Sequence, residues 1–270
     1  MGDALVRSRP RILATMGTVI GLDLRDPDLP EAAIEDALAW LTDVDARFSP
    51  YRPGSQISRL ARAEVELEDC PPDVRFVLTR CEALRLESDG YFNVRGPQLL
   101  GGLDPSGYVK GWAVEEAAVI LEAAGARNYA LNAGGDVILR GAPEAGRSWV
   151  VGIRHPLEAD QIVVRLAFEP NGGRHAVATS GLYERAGHIV NPRTGEVPGE
   201  LLSMTVVGPS LALADAYATA AFAMGRDGLR WLATRPGYAG YAIDRELRSS
   251  WNAGLEASLT AARGEPGPAA

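Results

Sequence analysis

The stretch AVATSGLYERAGHIVNPRTG, residues Ala176–Gly195, governs how the rest of the chain is read. It opens with an apolar run rich in Val and Thr, which suits a strand, and it breaks at Gly181. Tyr183, Glu184, Arg185 and His188 follow, and then a turn written Asn191-Pro192-Arg193-Thr194-Gly195. His188 is one of only 3 histidines in 270 residues. Ser180, Tyr183, His188 and Thr194 put hydrogen-bonding groups of several kinds on a strand-and-turn frame that can hold them in place. Alone, the window reads equally as a polar β-hairpin, so other segments must decide whether it carries chemistry.

Toward the C-terminus, Ser203–Val207 reads as a strand and Leu213–Gly225 as an Ala-rich, closely packed helix. Asp215 and Thr219 are four apart in that helix, so both oxygens lie on one face. An Asp near a helix N-terminus can answer the helix dipole or hold a metal, and spacing leaves both open. Gly237–Asp244 supplies a last expected strand, and the tail past Gly254, ending GEPGPAA, reads as disordered at its tip.

Toward the N-terminus, Tyr129–Gly141 reads as strand, glycine turn, strand, with Asn132, Gly134, Gly135 and Asp136 at the turn. Trp149–Ile153 and Ile162–Arg165 add two strands joined through His155-Pro156. Asp104-Pro105-Ser106-Gly107 leads through Lys110 and Gly111 into a helix, and a glycine-containing turn with a lysine at a helix start suits an anion. Pro71-Pro72-Asp73 starts a helix carrying Val74, Val77, Leu78, Cys81, Leu84 and Leu86, followed by a short extended piece at Tyr91–Val94. Pro30 opens a helix with Ile34, Leu38, Leu41 and Val44 at helical spacing, ending near Ala46. The loop after it exposes Phe48, Ser49 and Tyr51, and Ser55 begins a helical turn. Residues 11–24 read as two β segments around Met16-Gly17-Thr18, and a glycine interrupting strands marks a close backbone approach.

Composition bounds the class. The chain is 46% hydrophobic and 23% charged with 30 Gly and 18 Pro, which is globular and loop-rich. A formal net charge of -8 argues against a nucleic-acid or anionic-membrane partner, and no basic patch offsets it. Cys70 and Cys81 fit neither a CxxC pair nor a zinc pattern. The N-terminus MGDALVRSRPRILATMG has no apolar core of signal-peptide length, and no window is long enough to span a bilayer. The expectation is a soluble, cytoplasmic protein: one domain over 1–255, then a disordered tail over 256–270.

Taken in order, these segments resemble the ApbE-like flavin transferases, the FAD:protein FMN transferases. The resemblance rests on Met16-Gly17-Thr18, Phe48-Ser49 with Tyr51 and Ser55, Asp104 to Gly111, Asn132 with Gly134-Gly135-Asp136, Thr179-Ser180-Gly181 with Tyr183, His188 to Gly195, and Asp215 with Thr219. It implies an α+β fold of mixed or antiparallel sheets packed with helices, with FAD in a cleft between the layers. It also implies Mg²⁺-dependent transfer of FMN from FAD to a Thr or Ser hydroxyl of a target protein, releasing AMP. On the same basis the Gly107 carbonyl, Asp215 and Thr219 are the metal ligands. Met16, Gly17, Tyr51 and the Asn132–Asp136 turn shape the flavin and adenosine pockets with Asp104 and Lys110, while Ser180 and Tyr183 shape the FMN half. His188 is the expected general base, with a free pKa of about 6.5. Asn191 stands where many members carry Asp in HIxDPxTG, which weakens an acid–base role there and leaves it to orient a neighbour. Two competing functions share these residues: a Mg²⁺-dependent FAD pyrophosphatase using water as acceptor, and a flavin carrier that binds FAD without metal.

Overall fold

The computed structural model describes residues 10–96, 99–170, 172–182, 191, 195–196, 198–256 and 258–259, which excludes Tyr183 and His188. Alternating strand residues build an eight-stranded sheet. It comprises β1 (Arg11–Thr15), β2 (Thr18–Leu24), β3 (Tyr129–Ala133), β4 (Asp136–Arg140), β7 (Arg174–Gly181), β8 (Leu201–Gly208), β9 (Ala239–Asp244) and β10 (Ser249–Trp251), and it is ordered β1-β2-β3-β4-β7-β8-β9-β10. Every pairing in it is antiparallel. A separate two-stranded ribbon, β5 (Trp149–Arg154) with β6 (Ile162–Phe168), branches off between β4 and β7. The Trp251 strand β10 extends the sheet beyond Gly237–Asp244, the last strand expected from sequence.

Side-chain alternation gives the sheet two cores. On the inner face, Ile20, Leu22, Leu131, Ile138, Ala176, Ala178, Met204 and Val206 meet the helices. On the outer face, Val137, Leu139, Val177, Tyr241 and Ile243 pack under the ribbon with Trp149, Ile153, Leu166 and Phe168. β4 is buried on both faces, which is why it reads as the unbroken run Val137-Ile138-Leu139. Leu255 and Leu259 are buried in the outer core, so ordered packing passes the expected boundary at 255.

The helices are α1 (Glu31–Phe48), α2 (Gln56–Ala61), α3 (Pro72–Glu87), α4 (Ser106–Ala123), α5 (Leu211–Ala223) and α6 (Asp227–Leu232). α1 runs two residues past Ala46, burying Phe48 one turn after Val44. In α3, Leu86 is exposed while Val74, Val77, Leu78, Cys81 and Leu84 are buried. Burial pushes the Cys81 thiol up to about 12, so this cysteine is an inert core residue. No strand forms at Tyr91–Val94: the Phe92 N–H donates to Ser88 Oγ at 2.9 Å, meeting by a side chain the need that strand pairing would meet.

α5 is apolar nearly all round because it is enclosed, lying on β7 and β8 with α4 against its other side. Small residues bring α4 and α5 together. A Cβ at Gly111 would stand 2.5 Å from the Leu211 carbonyl oxygen and 3.0 Å from Asp215 Cβ. Gly111→Ala is therefore expected to force the helices apart at a cost of about 3 kcal/mol, read as a lower urea midpoint at unchanged slope.

α4 is tied to the sheet by charge. Glu122 accepts from Arg174 Nε and Nη2 at 2.9 and 2.7 Å and from Tyr129 Oη at 2.5 Å, and Arg140 Nη1 stands 3.1 Å away. Burial alone would raise its pKa, but Arg174, Tyr129 and Arg140 together outweigh that and lower it to about 2. A folded-state pKa below the unfolded value contributes stability that is present above the ordinary carboxylate value of 4.5 and lost as pH falls toward 2. Glu122→Gln should cost on the order of 2 kcal/mol at neutral pH. That difference should shrink through this window, as followed by urea titrations at several pH values.

Candidate functional site

At one end of the sheet the β1–β2 and β3–β4 turns lie side by side, facing the start of α4, the end of β5 and the middle of α5, around a cleft of about 520 Å³. The first turn is Met16-Gly17, with φ of 51° and 69°. Two positive φ values match the twist of a two-residue hairpin, and holding Met16 there costs of order 1 kcal/mol. Met16 and Gly17 both line the cleft. In the second turn Gly134 has φ +63°, and a Cβ there would collide with Thr18 Oγ1, so only glycine lets the two turns meet.

α4 begins at the cleft floor. The Ser106 N–H donates to Asp104 Oδ1 at 3.0 Å, and Asp104, Ser106 and Gly107 all line the cleft. First-turn amides at that helix end favour an anion. Lys110 sits in the second turn of α4 rather than at its start, and its ammonium lies 2.5 Å from Asp136 Oδ2. Asp136, 1% exposed, also accepts from the Thr179 N–H at 2.9 Å through Oδ1. Asp136 thus lies behind the cleft surface as counter-charge to Lys110 and anchor for β7, while Lys110 and Thr179 reach the cleft.

The far wall is β7 and α5. Ser180 Oγ and Thr219 Oγ1 are 3.3 Å apart, and a Cβ on Gly107 would lie 3.4 Å from Thr219 Oγ1. Asp215, one turn before Thr219, is 5% exposed and accepts from the Gly111 N–H at 3.1 Å. It stands outside the first turn of α5, which carries no acidic residue, so the helix dipole does not account for it. Gly107, Asp215, Thr219 and Ser180 therefore converge from α4, α5 and β7.

Tyr51, 67% exposed, stands at the mouth, and Asp45 and Asn93 also line the cleft. Asp45 is buried, and Arg52 Nη2 donates to its Oδ2 at 2.5 Å. Neither Asp45 nor Arg154 was singled out by the sequence reading. A carboxylate among Leu41, Val44 and Phe48 on the buried stripe of α1 was the available signal for Asp45. Arg154 ends β5, where the sequence shows only a charged strand end.

The structure brings Met16, Gly17, Tyr51, Asp104, Gly107, Lys110, Gly134, Ser180, Asp215 and Thr219 to one cleft. It places Asn132 and Gly135 in an adjoining groove instead, where Asn132 Oδ1 accepts from the Gly135 N–H at 2.9 Å and closes its own turn. Asn191 does not line the cleft; its side-chain amide donates to the Ala223 carbonyl at 3.4 Å, a bond that an Asp carboxylate could not donate. Tyr183 and His188 lie outside the described residues.

The donor set suits a hard cation. Among the described residues no three His, Cys, Asp or Glu side chains cluster, so a metal here would depend on one carboxylate, a hydroxyl and a carbonyl, with substrate oxygens completing the shell.

The sequence model described as the ApbE family matches residues 16–101 and 100–242. The chain belongs to the ApbE family. Named relatives agree with this. A Vibrio cholerae "FAD:protein FMN transferase" is 33% identical over 176 residues, covering 62% of this chain and 51% of that protein. The Escherichia coli K12 protein of the same name is 30% identical over 153 residues, covering 53% of this chain and 43% of its own. Each match thus spans about half the relative's length or less. Solved ApbE structures share the fold. The Thermotoga maritima ApbE protein superposes with TM-score 0.82 at 19% identity, covering 94% of this chain and 99% of that one. The Pseudomonas stutzeri flavinyl transferase ApbE, apo form, gives 0.79 at 24% identity, covering 94% and 97%. No helix among the described residues is long and apolar enough to cross a membrane.

Proposed function

We propose that this ApbE-family chain transfers FMN from FAD to a Thr or Ser hydroxyl of a target protein, releasing AMP, with Mg²⁺ as the cofactor. The observation that carries this reading is the convergence of Asp215 and Thr219 of α5 and Ser180 of β7 on Gly107, in the first turn of α4. In the proposed reaction the acceptor oxygen attacks the phosphorus on the flavin side of the diphosphate. The bond from that phosphorus to the bridging oxygen breaks, and AMP departs with the electron pair. Bound Mg²⁺ would draw charge from the diphosphate and ease that departure. The Gly107 amide and Lys110 attract the phosphates, Asp136 holds Lys110 in position, and Met16 and Tyr51 flank the ring systems. His188 is proposed to take the acceptor's proton.

Incubation with FAD, Mg²⁺ and a threonine-containing acceptor, read by intact mass, tests the reading. The expected result is an acceptor heavier by one FMN, with AMP formed in equal amount. Free FMN and AMP with an unmodified acceptor would mean pyrophosphatase chemistry, and FAD bound but intact would mean a carrier.

A further inference from the structure

Beside the cleft lies a second concavity of about 730 Å³, on the outer face of the sheet between β1 and the β5–β6 ribbon. The second core joins the ribbon to β4 and β7, with Ala130 of β3 packed against it, and among the described residues it leaves the outer faces of β1 and β2 open. Register puts Ile12, Gly21 and Asn132 in one row across that open face. The floor is built from small residues, Gly21 and Ala130, and the walls from apolar ones: Ile12, 76% exposed, on one side and Val150 and Ile162, each 45% exposed, on the other.

Gly21 is the telling residue. Its φ is not positive, and a Cβ there would meet nothing within 4 Å, so among the described residues neither backbone conformation nor packing calls for glycine. A glycine inside a strand weakens it and marks a place where another backbone comes close. β1 is the sheet edge and pairs only with β2 among the described residues, which leaves its other side to an added strand. Gly134, Thr179 and Arg154 line both concavities, so the trench opens into the cleft.

We propose that this trench seats the acceptor segment of the protein substrate as an extended strand of small and apolar residues, and delivers its hydroxyl past Gly134 and Thr179 to the cleft. The proposal rests on the transfer reading above. Continuity with the cleft selects this occupant, because an acceptor hydroxyl must reach the Ser180 wall from outside and the trench leads there.

The test uses the full chain with Gly21→Leu, at a half-buried position, and Val150→Lys, at an exposed one, both outside the lining of the cleft. The probe is a set of short fluorescent peptides, each with one threonine among alternating valine and alanine. Peptide binding is read by anisotropy, FMN transfer by intact mass, and FAD affinity by flavin fluorescence. Both variants should weaken peptide binding and raise the peptide KM by about tenfold or more, with kcat and FAD affinity unchanged. An unchanged peptide KM in two folded variants would overturn the proposal. Peptide binding that emerges only when residues 1–9 are removed would overturn it too, making the trench a seat for the chain's own N-terminus. Peptide binding that depends on Gly21, with FAD cleaved but no peptide gaining mass, would support the trench as a peptide seat and overturn only the transfer reading.

Discussion

Asp215→Asn is expected to abolish Mg²⁺-dependent turnover while leaving the fold intact. Asparagine keeps an oxygen that can accept the Gly111 N–H, so the α4–α5 contact survives and only the charge is lost. That carboxylate is the only ionic donor in the proposed ligand set of Gly107, Asp215 and Thr219, and a cation there is expected to supply several kcal/mol of transition-state stabilisation. Losing about 4 kcal/mol is roughly a 10³-fold fall in rate. FAD should still bind, since the surfaces around Met16 and Tyr51 make contacts that do not pass through an ion. Added Mg²⁺ should raise the melting temperature of FAD-bound wild type and do nothing for the variant, a readout independent of turnover. Thr219→Ala should be milder, because a neutral hydroxyl is replaceable by water. Full activity of Asp215→Asn at low Mg²⁺ would remove this residue from the metal site.

His188→Ala is expected to lower the transfer rate by roughly 10²–10⁴-fold, the usual size of a general-base effect, with little change in FAD affinity. The wild-type rate should rise with pH through the histidine's titration, and the variant should lose that limb, provided chemistry limits turnover. The segment bearing His188 leaves the described residues after Leu182, next to the Ser180 wall, and they resume at Asn191 against the C-terminal end of α5. A loss confined to FAD binding or to stability would make His188 a turn residue. Proton removal would then fall to solvent, helped by the metal and the amides of α4.

Much of the architecture was legible because the elements announce themselves locally. The paired strands around Met16-Gly17 and Gly134-Gly135 were readable from β-branched runs flanking glycine, and both turns have positive φ at two residues. The missed features are non-local. Tyr91–Val94 carries strand-like residues, yet its Phe92 N–H donates to the Ser88 hydroxyl and its Tyr91 N–H to the Ser88 carbonyl instead of to a strand. Trp251 and Leu259 follow the last clear pattern: Leu259 is buried in the outer core, and Trp251 stacks on Tyr241 of that core.

The site divides in the same way. Sequence by itself determined the order of the motifs, the family they belong to, and that Asp215 and Thr219 share a helical face, since a 3.6-residue period fixes that without any neighbour. Only tertiary structure decided that Gly111 donates to a carboxylate 104 positions away, that Asp136 lies buried behind Lys110, and that Asn132 closes its own turn beside the cleft. The physical reason is distance of approach. A helical face follows from one chain's geometry, whereas which polar atom meets which depends on how closely two elements pack. Here that is set by the side chains missing at Gly107, Gly111 and Gly134.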